Sequence, residues 1–338
     1  MIKELIFNSI VNLFTKYKKI VIVSHVNPDG DALGSSLALY LFAKKLGASP
    51  KVIVPNDFPS YLAWMPAVQD VLVYEKDKDA SIRVMSEAEM FCYLDFNTTS
   101  RTGLMCESLC RFDQTPKVLI DHHLNPDLAF FDLVFSDNTM SSAAEFVYWV
   151  AISAWGRDVI TRSVAECLYT GICTDTGSFS YSCNSPTVYN ATAHLIDMGI
   201  NVSDIHSNIY NSYSKERLLL LGFCINQRLR IFDDMKLAYF YVSKEDQQHF
   251  AAKKGDMEGV VNYTLMMQNI EVGALVKENE EGIVRISFRS KNDFNVNDFA
   301  RKYFSGGGHR KASGATSTMN LEDTCKYMEE CFRKELLL

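Results

Sequence analysis

Three residues able to ligate a metal ion stand within seven positions: His25, Asp29 and Asp31, in "SHVNPDGDALGSS", directly after the apolar run "IVIV". Helix capping accounts for one Asp in such a place. An imidazole and two carboxylates together call for more. Similar residues follow other apolar runs: Asp95 in "FCYLDF", Asp121, His122 and His123 in "KVLIDHH", and Asp175 in "LYTGICTDTGSF". Carboxylate and imidazole donors without thiolates suit Mn2+, Mg2+ or a similar ion better than a structural zinc. The natural chemistry of such a set is two-ion hydrolysis, in which the ions activate a water and neutralise charge on a phosphoryl group. Two neighbouring ions need a bridging carboxylate, and the lone Asp95 is the candidate.

Singly, each residue has an ordinary reading: Asp29 as a helix cap, Asp95 and Asp175 as turn formers, His25 as a hydrogen-bonded core histidine. Their joint placement argues for a site. The first part of the chain alternates "KIVIVSH", "KVIVPN", "MFCYLDF" and "PKVLIDHH" with helix-length segments, among them one from about Ala32 to Leu46. That alternation predicts an α/β fold with a mostly parallel sheet. In such sheets the carboxyl ends of the strands lie along one edge, where ligands bind. Counting Asp175 with them, four strand ends are expected to converge there.

Residues 202–231 have helical periodicity with little Gly or Pro and are read as a connecting helix. After Phe232, "MKLAYFYVS", "IEVGALVKE" and "GIVRISFRS" read as strands, with a tight turn before the last. A helix from about Val296 to Tyr303, the run "SGGGHRKASGA" and a closing amphipathic helix complete a smaller α+β domain. The expected division is 1–201, 202–231 and 232–338.

The segment from Arg285 to Lys311 holds seven Lys or Arg against two Asp, in a chain of net charge −7. Within it, Gly306, Gly307 and Gly308 let backbone approach a ligand closely. With His309, Arg310 and Lys311 they predict a loop suited to a phosphate- or carboxylate-sized anion. The overall acidity disfavours a track for long duplex nucleic acid. Nine scattered cysteines without a C-x-x-C pair argue against a disulfide framework and for a reducing cytoplasmic setting. No apolar run is long enough to span a bilayer, and the N-terminal segment lacks the marks of a signal peptide.

In their order, "SHVNPDGDALGSS", "LDFNTTSR", "IDHHLNP", "GICTDTGSF" and "FSGGGHRKASG" resemble the motifs of the DHH/DHHA1 phosphoesterases, over about His25 to Gly314. The likeness is greatest to the short bacterial oligoribonuclease/pAp phosphatase branch, the nanoRNases. It implies a DHH domain joined by a helix to a smaller DHHA1 domain, with the active site in the interdomain cleft. It also implies two divalent ions, Mn2+ first, with Mg2+ or Co2+ as alternatives. One ion would take His25, Asp29 and Asp95, and the other Asp31, Asp95, His122 and Asp175. Asp121 would orient an imidazole, and His123 would lie against substrate or its leaving oxygen. Arg101, Arg289, Ser290, the three glycines and His309 would hold substrate. The implied substrates are short RNA oligonucleotides and 3′-phosphoadenosine 5′-phosphate (pAp), and a homodimer is implied as well. Rival readings are a phosphodiesterase for linear or cyclic dinucleotides such as pApA, an exopolyphosphatase, and a silent nucleotide sensor.

Overall fold

The structure, a computed structural model, describes residues 2–253, 255–279 and 281–336. Glu280, in the expected turn, and the last two residues of the expected closing helix lie outside them. The chain divides into two compact units, residues 1–212 and 213–338.

The first unit runs α1 (Ile2–Lys16), β1 (Ile20–Val23), α2 (Gly30–Lys45), β2 (Lys51–Val54), β3 (Leu72–Val73), α3 (Lys78–Ser86), β4 (Met90–Leu94), α4 (Cys106–Leu109), β5 (Lys117–Asp121), β6 (Leu133–Ser136), α5 (Ala143–Trp155), α6 (Arg162–Asp175), α7 (Pro186–Asp197) and α8 (Val202–Tyr210). Its six strands pair in the order β3-β2-β1-β4-β5-β6, all parallel. Every residue of β1, β4 and β5 is buried. Continuous apolar runs such as "IVIV" suit strands covered on both faces, as parallel strands are. One face packs on α1, α2, α5, α6 and α7, the other on α3 and α4. The strand order reverses between β1 and β4, so the crevice at their carboxyl ends is where a fold of this kind binds its ligand.

Two glycines set how closely α2 meets α6. A Cβ on Gly34 would fall 2.6 Å from the Cys167 carbonyl oxygen, and one on Gly171 would fall 2.5 Å from the Ala144 Cβ and 2.8 Å from Asp31 Oδ1. No side chain fits at either contact. The crossing brings the start of α2 beside the end of α6.

The second unit comprises α9 (Lys215–Phe223), β7 (Leu229–Phe232), β8 (Leu237–Val242), α10 (Lys244–His249), α11 (Asn262–Leu265), β9 (Val272–Glu278), β10 (Val284–Ser290), α12 (Val296–Tyr303), β11 (Ser305–Gly308), β12 (Ala312–Ser317) and α13 (Leu321–Leu336). Its sheet has the order β11-β12-β10-β9-β8-β7, antiparallel apart from the β8–β9 pair. Helices α12 and α13 cover one face, with Phe288, Phe299 and Phe332 at the centre of that core.

Several expectations need correction. The helix expected over 202–231 is broken, because Asn201 and Ser214 each cap a separate start: Asn201 accepts from Ser203 and Asp204, and Ser214 from Arg217. Leu229–Phe232 then leaves the helix to pair with β8. Helix α2 begins at Gly30, with Asp29 as its cap, earlier than the expected Ala32. Asp175 ends a helix, α6, and not a strand. The triple-glycine run is an edge strand, β11, with His309–Lys311 as its hairpin turn, because "ASGATS" offers it a ladder partner.

Candidate metal centre

The loop after β1 carries His25 and then Asp29, whose Oδ1 accepts the amides of Asp31 (3.1 Å) and Ala32 (3.0 Å). This cap starts α2 at once and fixes Asp31 in its first turn. The Asp31 carboxylate is buried and reaches the start of α5, where Ala143 N–H donates to Oδ2 (2.6 Å) and Ala144 N–H to Oδ1 (2.8 Å). Asp95 follows β4 with a left-handed backbone, φ 64°. Asp tolerates that conformation better than most residues, and strain of this kind collects at functional sites.

The buried Asp95 carboxylate stands between two imidazoles, with Oδ2 3.3 Å from His25 Nε2 and Oδ1 3.4 Å from His122 Nε2. His122 Nε2 is also 3.6 Å from Asp175 Oδ2 and 3.9 Å from Asp31 Oδ2. His25–Asp29–Asp95 and Asp31–His122–Asp175 each have donor atoms within 4.8 Å of one another, as does Asp95–Asp121–His123. Asp175 is partly open, its side chain 32% exposed.

The donor set fits divalent ions. In both His25 and His122 the Nδ1 faces a backbone carbonyl, Val26 O at 2.8 Å and Met140 O at 3.4 Å, which turns Nε2 to the carboxylates. Such outer partners fix the tautomer of metal-ligating histidines. The electrostatics agree. Burial, then the charges of Asp95 and Asp175, push the Asp31 carboxyl well above the usual range, although two amides favour its anion. Burial acts the same way on Asp95, but its hydrogen bonds to His122 and His25 outweigh it and hold it well below. For His122, burial opposes the charge, and the bond to Asp95 with the field of Asp175 overcomes it, leaving the pKa well above ordinary. His25 is raised by the same balance, burial against its Asp95 bond. The raised imidazoles mark a place where positive charge is favoured beside crowded carboxylates. A divalent ion supplies that charge directly.

His123 is arranged differently. Its Nδ1 lies 2.7 Å from Asp121 Oδ1 and its Nε2 2.9 Å from Arg101 Nη1. A neutral ring that donates to Asp121 and accepts from the guanidinium satisfies both contacts. Burial, which outweighs the Asp121 bond, pulls its pKa below the ordinary value. Arg101 is held in turn because its carbonyl accepts Val26 N–H at 2.8 Å, tying the loop after β4 to the loop after β1.

In the second unit, Arg289 lies on β10 opposite Gly273 and Ala312. Ser290, expected to grip phosphate beside it, is buried and donates its hydroxyl to the Phe294 carbonyl at 2.8 Å, since neighbouring strand residues face opposite ways. It fixes the turn into α12. Gly308 N–H donates to Asn297 Oδ1 at 2.9 Å, and His309 N–H to Ala312 O at 2.7 Å, which shapes the glycine hairpin. The reading of the sequence missed the amides of Ala143 and Ala144. The signal was Ser142 with Glu145 three residues on, a helix-start pattern, and Ser142 Oγ does accept Glu145 N–H.

With this geometry in place, comparison with known proteins assigns the class. Residues 19–172 match the N-terminal domain of the DHH family and residues 234–334 match the DHHA1 domain. The chain belongs to this family, and it is a hydrolase of phosphate esters. It is similar to the bifunctional oligoribonuclease and PAP phosphatase NrnA of Thermus thermophilus, at 26% identity over 94% of this chain and 90% of that one. The protein of that name in Bacillus subtilis is 25% identical, over 91% and 92%. Among solved structures, an exopolyphosphatase-related protein from Bacteroides fragilis is 36% identical, with a TM-score of 0.93 over 99% of this chain and 97% of that one. RecJ of Thermus thermophilus in complex with Mn2+ shares the fold at 10% identity and a TM-score of 0.53, over 98% of this chain and 55% of that one. Among the described residues, no helix is long and apolar enough to cross a membrane.

Proposed function

We propose that this protein is a metal-dependent phosphoesterase that hydrolyses short oligoribonucleotides to mononucleotides and pAp to AMP and phosphate. The observation that carries the reading is the buried Asp95 carboxylate, one oxygen toward each of two imidazoles in two adjoining ligand groups. His25, Asp29 and Asp95 would hold one ion and Asp31, Asp95, His122 and Asp175 the other. Mn2+ is the ion we favour. When bound, the pair would make a water nucleophilic near neutral pH and offset charge on the phosphoryl group. Asp121 holds the His123 ring; Arg101 would offer N–H donors to the leaving oxygen, and His123 would join it once Nε2 carries a proton. Arg289, on its own unit, offers a guanidinium suited to a phosphate. The names of the relatives support the substrate class.

The test is the initial rate with Mn2+, with and without chelator, on pAp, RNAs of two to five nucleotides, pApA and polyphosphate. Fast turnover of pAp and the shortest RNAs that chelator abolishes is the expected result. Turnover of pApA alone, or of polyphosphate alone, would replace this reading with the corresponding rival.

A further inference from the structure

The second sheet carries a pair of cations that the functions described above leave unused. On β9 and β10, Lys277 stands directly opposite Arg285, and Arg285 stands opposite Thr316 of β12. Directly opposed residues on paired strands have Cβ atoms roughly 4.5–5.5 Å apart, where like charges destabilise. Surface cations are usually matched with carboxylates, and this chain has 41 Asp and Glu against 34 Lys and Arg. Even so, no ion pair or side-chain hydrogen bond involves Lys277 or Arg285 among the described residues. Lys277 is half-buried, and burial, then the charge of Arg285, pulls its pKa below the ordinary value. Arg285 is exposed and Lys277 half-buried, and no carboxylate among the described residues answers either charge.

The surroundings suggest what compensates them. Side chains alternate along β10, so Arg285, Ser287 and Arg289 share one face, opposite the face covered by α12 and α13. At about 3.4 Å per residue, Arg285 and Arg289 stand roughly 13 Å apart along the strand. Between them, Ser287 faces Gly314 across the ladder, and a Cβ on Gly314 would meet nothing closer than 3.9 Å. On its other side Ser287 faces the buried Leu275, so the floor between the cations is two small residues, Ser287 and Gly314, beside one leucine. A chain of phosphates can lie along it and meet charge at both ends.

We infer that Lys277 and Arg285 form a second anion site, which takes a further phosphate of a multiply phosphorylated substrate whose first phosphate is held at Arg289. The inference rests on the phosphoesterase reading for the role of Arg289 and extends it to substrate length. The intended ligand is the phosphodiester backbone of a short single strand; an inorganic polyphosphate offers the same chemistry.

The test is binding to the full chain in chelator, which does not depend on turnover and so fails separately from the proposed activity. Affinities for pAp, a 5′-phosphorylated triribonucleotide and tripolyphosphate are measured across a salt series for the wild type, Lys277→Met and Arg285→Gln. Each substitution should weaken the trinucleotide about tenfold, lower the slope of log affinity against log salt by about 0.7, and weaken pAp much less. The melting temperature should hold or rise, since repulsion has been removed, and Lys277→Arg should retain the affinity. A loss confined to tripolyphosphate upholds the site and assigns it to the inorganic chain. Unchanged affinities, or an equal loss for all three ligands, overturn the inference.

Discussion

Replacing Gly171 with Ala tests whether helix packing places the proposed metal ligands. Alone, the exchange favours an α-helix by about 1 kcal/mol. Here the new Cβ would fall 2.5 Å from Ala144 Cβ and 2.8 Å from Asp31 Oδ1. Neither neighbour is the far end of a flexible chain: Ala144 belongs to the first turn of α5, and Asp31 is pinned by the Ala143 and Ala144 amides. Overpacking of this kind costs about 1–3 kcal/mol, so the net loss is about 0–2 kcal/mol. For a unit of this size that lowers the melting temperature by roughly 2–4 °C per kcal/mol. The functional effect should be larger, because α6 must move away from α2 and carry Asp175 away from Asp31. Mn2+ affinity by calorimetry should fall at least tenfold, approaching the roughly 10–100-fold seen when the support of a metal ligand is removed. Gly199→Ala is the control: Gly199 has φ 81° with nothing within 4 Å, so it should cost about 1–2 kcal/mol of strain and leave Mn2+ affinity intact. If Gly171→Ala is folded and binds Mn2+ as the wild type does, the packing argument is wrong.

Asp95→Asn keeps a residue that tolerates the left-handed backbone while halving the oxygen donors. It should weaken Mn2+ binding by more than about 100-fold and abolish chelator-sensitive turnover, against the roughly 10–100-fold of an outer-sphere change; near-normal binding in calorimetry would remove Asp95 from the bridging position. Asp121→Asn should lower kcat by roughly 10–100-fold while Mn2+ affinity changes far less, and a loss of both in parallel would make Asp121 a ligand. His122 and His25 have folded pKa values raised above 6.5, so an ion taking them as ligands would displace protons. Affinity should rise with pH, and the binding enthalpy at pH 7 should depend on the buffer; a buffer-independent enthalpy would contradict this. The same shifts stabilise the metal-free fold below about pH 6.5, and that contribution is lost as pH climbs through the raised values, so melting of the metal-free protein should fall on the alkaline side.

The strand-borne part of the centre was legible because apolar runs ending in Asp or His place those residues at one sheet edge whatever the details. His25, Asp95 and His122 follow from that rule. Asp175 was assigned to the site but to the wrong kind of element, since a buried helix and a buried strand are equally apolar over a few residues. The glycine run read as a loop because nothing local shows that "ASGATS" will pair with it. The contact of Asp31 with α5 spans more than a hundred residues of sequence and leaves no local trace. Nor does the α2–α6 crossing, where the absence of a side chain is the signal. Ser290 came with Arg289 from the resemblance, and strand alternation turns its side chain to the other face, where it meets the Phe294 carbonyl.

Asp31 receives the start of α5 and, like Asp29, is a proposed metal ligand, but the two carboxylates differ in how replaceable they are. Asp29 caps a helix with one oxygen, and Ser, Thr or Asn can do the same. Asp31 uses both carboxylate oxygens to receive the two leading amides of α5, and an Asn in its place would set a donor against one of them. A descendant of this chain that gave up catalysis and kept its shape would thus be free to lose Asp29 early and Asp31 last. Retention of Asp31 in a relative is weak testimony that the relative still hydrolyses anything, while retention of Asp29 says more.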